Sequence, residues 1–259
     1  MSIVVAKDTS ARGRKDVKRV GEPSRRVPEV ERGGPRLPLF RKRAAIYVDG
    51  FNLFHAIDDI QRPYLHWVDL KAIMTQIIPR SQVVKRVVWV TAFKPQGRTK
   101  NDRQLAYMNA LMARGVVCQT GHFVMHVNGC NACGHRWTES TEKQSDVNLA
   151  LALADDAHAD RFDVAYLVTV DGDHAATARY LKTHFRGKRL VSVAPPGRMH
   201  NRHILDWADA RATITTEHLE NALLPALVKG RGRKVERPAA WLPPELPKQK
   251  RHLKLVVSQ

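Results

Sequence analysis

From position 44 onward, short apolar runs alternate with longer stretches of helical spacing. AAIYV (44–48) has the composition of a strand, and GFNLFHAIDDI after it can form a helix. VDLKAIMTQII (68–78) sets apolar residues at helical intervals until Pro79 stops it. VVKRVVWVTAF (83–93), rich in valine and aromatics, predicts a strand. TKNDRQLAYMNALMARG (99–115) predicts a helix with Gly115 at its end. VVCQTGHFVMHV (116–127) reads as a third strand, and residues 128–144 as a loop. SDVNLALALADDAHA (145–159) predicts a helix with Ser145 as its N-cap. DVAYLVTV (163–170) and RLVSVAP (189–195) read as buried strands on either side of a helix, DHAATARYLKTHF (173–185).

Strands that are unbroken apolar runs, separated by helices, predict a parallel sheet covered on both faces. The expected fold class is α/β, a three-layer α/β/α sandwich. Ligands in such sheets gather beyond the carboxyl ends of the strands. Four aspartates stand near such positions: Asp49 after the first strand, Asp146 at the start of a helix, and Asp171 and Asp173 after AYLVTV. Carboxylates brought together repel and require a proton or a cation between them. A carboxylate cluster suits Mg²⁺ or Mn²⁺, ions that assist displacement at a phosphodiester. Each aspartate also has a structural role open to it. Asp49 can make a turn before Gly50, Asp146 can favour the helix dipole, and Asp173 can cap its helix. Asp155, Asp156 and Asp160 read as a solvated face.

Charge divides the chain. The whole carries a formal +18, of which residues 1–43 hold +8, residues 229–259 hold +7 and the segment between them only +3. Both ends are rich in Arg, Lys, Pro and Gly, and they predict a disordered basic N-terminal extension (1–43) and a basic C-terminal tail (227–259) around a folded domain at 44–226. Such tails add salt-dependent affinity for nucleic acid; solvated ends with no dedicated role are the other reading. No run of eighteen apolar residues occurs, so no membrane span is expected. Three cysteines and an N-terminus without a signal-peptide core lead to the expectation of a cytoplasmic protein.

IYVDGFNLFHAI, EKQSDVNLALAL and DVAYLVTVDGDHAATARYL, with GHFVMH (121–126) before the second, together resemble the NYN domain family and in particular its LabA-like branch, relatives of PIN-domain nucleases. The resemblance runs from about Ala44 to about Leu224. It implies a PIN-like sandwich and metal-dependent ribonuclease chemistry. By that resemblance Asp49, Asp146, Asp171 and Asp173 match the family's metal-holding aspartates, and Asn52 its neighbouring asparagine. Thr169 stands where serine is usual, Val170 where glycine or asparagine is usual, and His174 where an apolar residue is commoner.

Asn52 can orient a water or a phosphate. Lys143, Arg198 and Arg202 are candidates for substrate phosphates. CNACGHRW (130–137) places Cys130 and Cys133 at a spacing that chelates Zn²⁺, with Cys118, His122, His126 and His135 as candidates to complete four ligands; a dithiol redox pair and an unliganded loop are the alternatives. The expected activity is hydrolysis of RNA at the aspartate cluster. The alternative is a non-catalytic RNA-binding module on the same fold. RNA is the expected partner, with a homodimer left open.

Overall fold

The computed structural model describes residues 41–93 and 98–244. The expectations for 1–40 and for the end of the C-terminal tail lie outside these residues. β1 (Lys42–Asp49) is followed by α1 (Gly50–Asp58), a 3-10 turn at Pro63–His66, α2 (Leu70–Ile77), β2 (Gln82–Ala92), α3 (Arg98–Ala113) and β3 (Val117–Gly129). Then come β4 (Arg136–Lys143), α4 (Ser145–His158), β5 (Val164–Val168), a 3-10 turn at Gly172–His174, α5 (Ala175–His184) and β6 (Arg189–Ala194). α6 (Arg202–Leu205), β7 (Ala210–Thr213), α7 (Thr216–Glu220), β8 (Leu227–Gly230), β9 (Arg233–Glu236) and a 3-10 turn at Ala239–Trp241 complete the order among the described residues.

Seven strands form one sheet in the order β4-β3-β2-β1-β5-β6-β7. All neighbours pair parallel except β3 and β4. The sheet is therefore mixed, as a central parallel sheet with one antiparallel edge strand. Alternate residues of β1 explain the three layers. Ala44, Ile46 and Val48 join one apolar core, and Ala45 and Tyr47 join the other. The first core is filled from α1, α2 and α3, including Leu53, Ile73 and Leu111; the second from α4 and α5, including Leu149, Leu153 and Leu181. β1 lies in the middle of the sheet; the chain extends from it to one side through β2 and β3 and returns to its other side at β5. β1 and β5 thus flank a topological switch point, where a crevice opens beyond the strand ends.

Four sequence expectations change here. The loop at 128–144 is instead the outer half of a hairpin, because β4 pairs with β3 from His122–Lys143 to Gly129–Arg136. RWTESTEK lacks the apolar alternation of a half-buried strand because it is exposed along most of its length. Ser145 is not the N-cap of α4: Gln144 occupies that position with φ 78°. The Ser145 N–H is taken by Glu142 Oε1 at 3.1 Å, and its own hydroxyl is buried without a hydrogen-bond partner.

Asp156 is not on a solvated face. It is fully buried, accepts from Tyr47 Oη at 2.9 Å and Arg161 Nη1 at 2.7 Å, and pairs with Arg86. It continues the buried stripe Leu149, Ala152, Leu153 of α4.

The folded region also runs past 226. β8 and β9 form a hairpin whose turn, Arg231 and Gly232, has positive φ at both positions (47° and 74°), as a two-residue hairpin turn requires. The hairpin packs on α3, and Trp241 beyond it is buried with Trp67 and Tyr107. The basic composition of this segment bears on partners and solubility, not on fold.

Candidate metal centre

The carboxyl end of β1 is fixed before any ligand is considered. Asp49 is the N-cap of α1, and its Oδ1 accepts the N–H of Asn52 at 3.0 Å. Its Oδ2 accepts the hydroxyl of Thr169, beyond β5, at 3.0 Å. The Thr169 oxygen in turn accepts the N–H of Asp171 at 3.1 Å, and Asn52 Oδ1 accepts the N–H of Val170 at 3.2 Å. These bonds lace the two strand ends across the switch point. On the other side of β1, Gly50 permits the start of α1 to approach β2 closely: a Cβ there would stand 2.5 Å from the carbonyl oxygen of Val90 and 2.8 Å from Trp89 Nε1.

Asp146 enters from the first turn of α4, and His174 from the 3-10 turn after β5. One ligand atom from each of Asp49, Asp146 and His174 falls within 4.8 Å of the other two. His174 is 1% exposed, and its Nε2 lies 3.4 Å from Asp146 Oδ1. That is close enough for charge pairing, yet the nitrogen makes no well-formed hydrogen bond. Burial alone would lower the His174 pKa; the carboxylates of Asp146, Asp49 and Asp171 outweigh it and raise the pKa. Burial raises that of Asp49, and the adjacent His174 imidazole lowers that of Asp146. The carboxylates thus favour the protonated imidazole over the neutral one, against the effect of burial.

Two carboxylates and an imidazole, with one buried nitrogen lacking an aligned partner, are a donor set that fits a divalent first-row ion. The cleft above them is open, with a volume of about 430 Å³. Asn52, Asp171 and Arg198 line it, together with Phe51, His55 and Glu142.

The other expected residues fall at graded distances. Asp171 is an exposed residue of the rim, and its carboxylate accepts the Asp173 N–H at 3.0 Å, capping the turn that carries His174. Asp173 is exposed and lies outside both the three-residue cluster and the cleft lining. Thr169 is buried and bonded to Asp49. Arg198 pairs with Asp59 at the cleft edge. Lys143 is exposed at the end of β4, next to Glu142, and Arg202 is exposed at the start of α6, away from the lining. His174 was visible in the sequence only as a departure from an apolar position, yet it is the member of the cluster whose ring is most fully enclosed.

The cysteines do not gather four ligands in one chain. Cys118 turns into the fold with Met108 O as a neighbour at 3.8 Å. Twelve positions along an extended strand separate it from Cys130, about 40 Å at ~3.3 Å per residue. Among the described residues, no third His, Cys, Asp or Glu joins Cys130 and Cys133.

No curated protein matches the chain. A solved structure described as a protein of unknown function, VPA0982 from Vibrio parahaemolyticus RIMD 2210633, is similar at a TM-score of 0.48 and 16% identity, over 72% of this chain and 99% of that one. The NYN domain profile matches residues 43–212, from the first residues of β1 to the end of β7. That span contains all three members of the cluster and every strand that positions them, and on it the chain belongs to the NYN domain family.

Proposed function

We propose that this protein is a divalent-metal-dependent ribonuclease that hydrolyses RNA phosphodiesters in the cleft at the β1–β5 switch point. The observation that carries this reading is the meeting of Asp49, Asp146 and His174 ligand atoms within 4.8 Å, with Asp49 and Asp146 lining an open cleft and His174 buried behind them. The nuclease-like fold of the NYN domain supports it. Asp49, Asp146 and neutral His174 would hold the ion, with Asp171 at the rim. An imidazole among the donors favours Mn²⁺ over Mg²⁺. A divalent ion there supplies Lewis acidity toward a phosphate oxygen and acidifies water.

The protein's own groups do the rest. Thr169 and the Asn52 N–H keep the Asp49 carboxylate aimed, so binding costs little reorganisation. Arg198, loosened from Asp59, can meet a backbone phosphate. Phe51, held edge-to-face against Phe123 at 5.9 Å, offers a ring on the cleft wall for a base to stack on.

The test is cleavage of mixed RNA with Mn²⁺ or Mg²⁺, using wild type and Asp146→Asn. Cutting that needs metal and falls at least a hundredfold in the variant supports the reading. RNA binding without cutting under either metal would replace it with the binding-module reading.

A further inference from the structure

The β3–β4 hairpin projects beyond the sheet and ends in Cys130-Asn131-Ala132-Cys133-Gly134-His135. Every residue from 131 to 140 is exposed. A two-stranded ribbon of this kind is marginal in water without a third strand or a staple. Its tip is nonetheless sharply defined. The Cys130 N–H bonds His135 O at 2.8 Å, and the Gly134 N–H bonds Cys130 O at 2.9 Å. Gly134 takes φ 70°, a left-handed conformation suited to glycine. These two backbone bonds close a tight turn that carries both thiols.

We propose that Cys130 and Cys133 form half of a zinc site, completed by the same pair from a second copy of this chain. Zinc in structural sites takes four ligands, with thiolates preferred. One chain cannot supply them as thiolates. It has three cysteines, and the third, Cys118, faces the fold far from the tip. The ring of His135 stacks on Trp137 with centroids 6.1 Å apart, and no third ligand atom joins the two thiols among the described residues.

Two tips can meet because residues 131–140 are all exposed among the described residues. A four-thiolate zinc centre carries two negative charges, and Arg136 follows each tip to offset one of them. The same ribbon exposes Met125 at 43% and Val127 at 70%. These two stand on one face of β3, two residues apart, where a second ribbon would cover them. Four thiols binding one Zn²⁺ release four protons, so assembly strengthens as pH rises. The inference does not depend on the nuclease reading.

The test uses full-length protein freed of metal with a chelator, then titrated with Zn²⁺ while its mass is followed by light scattering. Expected are one zinc per two chains, a doubling of mass that EDTA reverses, and loss of both in Cys133→Ser. Co²⁺ in place of zinc should give the thiolate charge-transfer bands of a four-sulfur site in wild type, and none in the variant. The tip lies outside both cores, so the variant should melt as the metal-free wild type does. One zinc per chain at unchanged mass, no zinc retained against the chelator, or a dimer that forms equally well in Cys133→Ser would each overturn the proposal.

Discussion

Single side chains divide here between those that serve the fold and those kept for chemistry, and their partners separate them: Asp156 is fully paired, whereas the buried His174 Nε2 is not. Asp156 is the clearest structural case. Replacing it with Ala leaves the Tyr47 hydroxyl unpaired and strips Arg86 and Arg161 of their shared partner. Both arginines keep some solvent, so the loss should sit at the low end for a broken buried pair, about 3 kcal/mol. Urea unfolding of the variant measures it, and a loss below about 1 kcal/mol would mean the network is compensated. The cysteines make a second case. Burial pushes the Cys118 thiol up to about 12, whereas backbone N–H groups hold Cys130 below its ordinary value. A lowered thiol pKa puts more thiolate at neutral pH. In metal-free protein at pH 7, iodoacetamide should therefore label Cys130 well ahead of Cys118, with a rate that levels off at lower pH than for a free thiol. Cys118 should react only on unfolding; peptide mapping over time follows both sites.

At the level of elements, the site depends on how β3, β4 and α4 meet. Gly121 sits at that junction: a Cβ would stand 2.4 Å from Lys143 O and 2.8 Å from Ser145 Oγ. Gly121→Ala must therefore push the base of the hairpin away from the first turn of α4, which carries Asp146. Metal affinity should fall about tenfold, as for other changes that disturb a ligand's support, while the sheet stays folded. Calorimetric Mn²⁺ titration beside a melting curve separates the two effects. The same junction shows what was legible in the sequence. Strands β1, β2, β5 and β6 announced themselves as apolar runs because both their faces are covered. β4 and β7 did not: one is exposed, and the other is four residues long. Asp49, Asp146 and Asp171 were legible as cleft residues from their places at strand and helix ends, and Asn52 through the family resemblance. His174 was not, because its role comes from a 3-10 turn that swings its ring beneath Asp146, and no local pattern encodes that swing.

For the whole molecule, charge and fold are nearly separate. The segment 44–228 carries only +3 of the +18, and its own cleft is acidic at the floor. A polyanion approaching Asp49 and Asp146 meets repulsion unless cations outside the cleft attract it. Residues 1–40 and 245–259 together hold a net +8 of the chain's +18. The boundary matters, because a cut at 226 would remove β8, β9 and the buried Trp241, a loss of about 3–5 kcal/mol from the tryptophan alone. A chain of residues 41–244 keeps that strap and should fold. It should bind RNA more weakly, with a shallower fall of log K against log salt, since fewer phosphates are neutralised. Its cleavage rate at saturating RNA should stay within about twofold of the full chain, because uniform binding energy changes KM and leaves kcat alone. Filter binding across a salt series, with single-turnover cleavage on the same preparations, reads both quantities. An unchanged salt slope would move the RNA-attracting charge into the folded domain, to Lys143, Arg198 and their neighbours around the cleft.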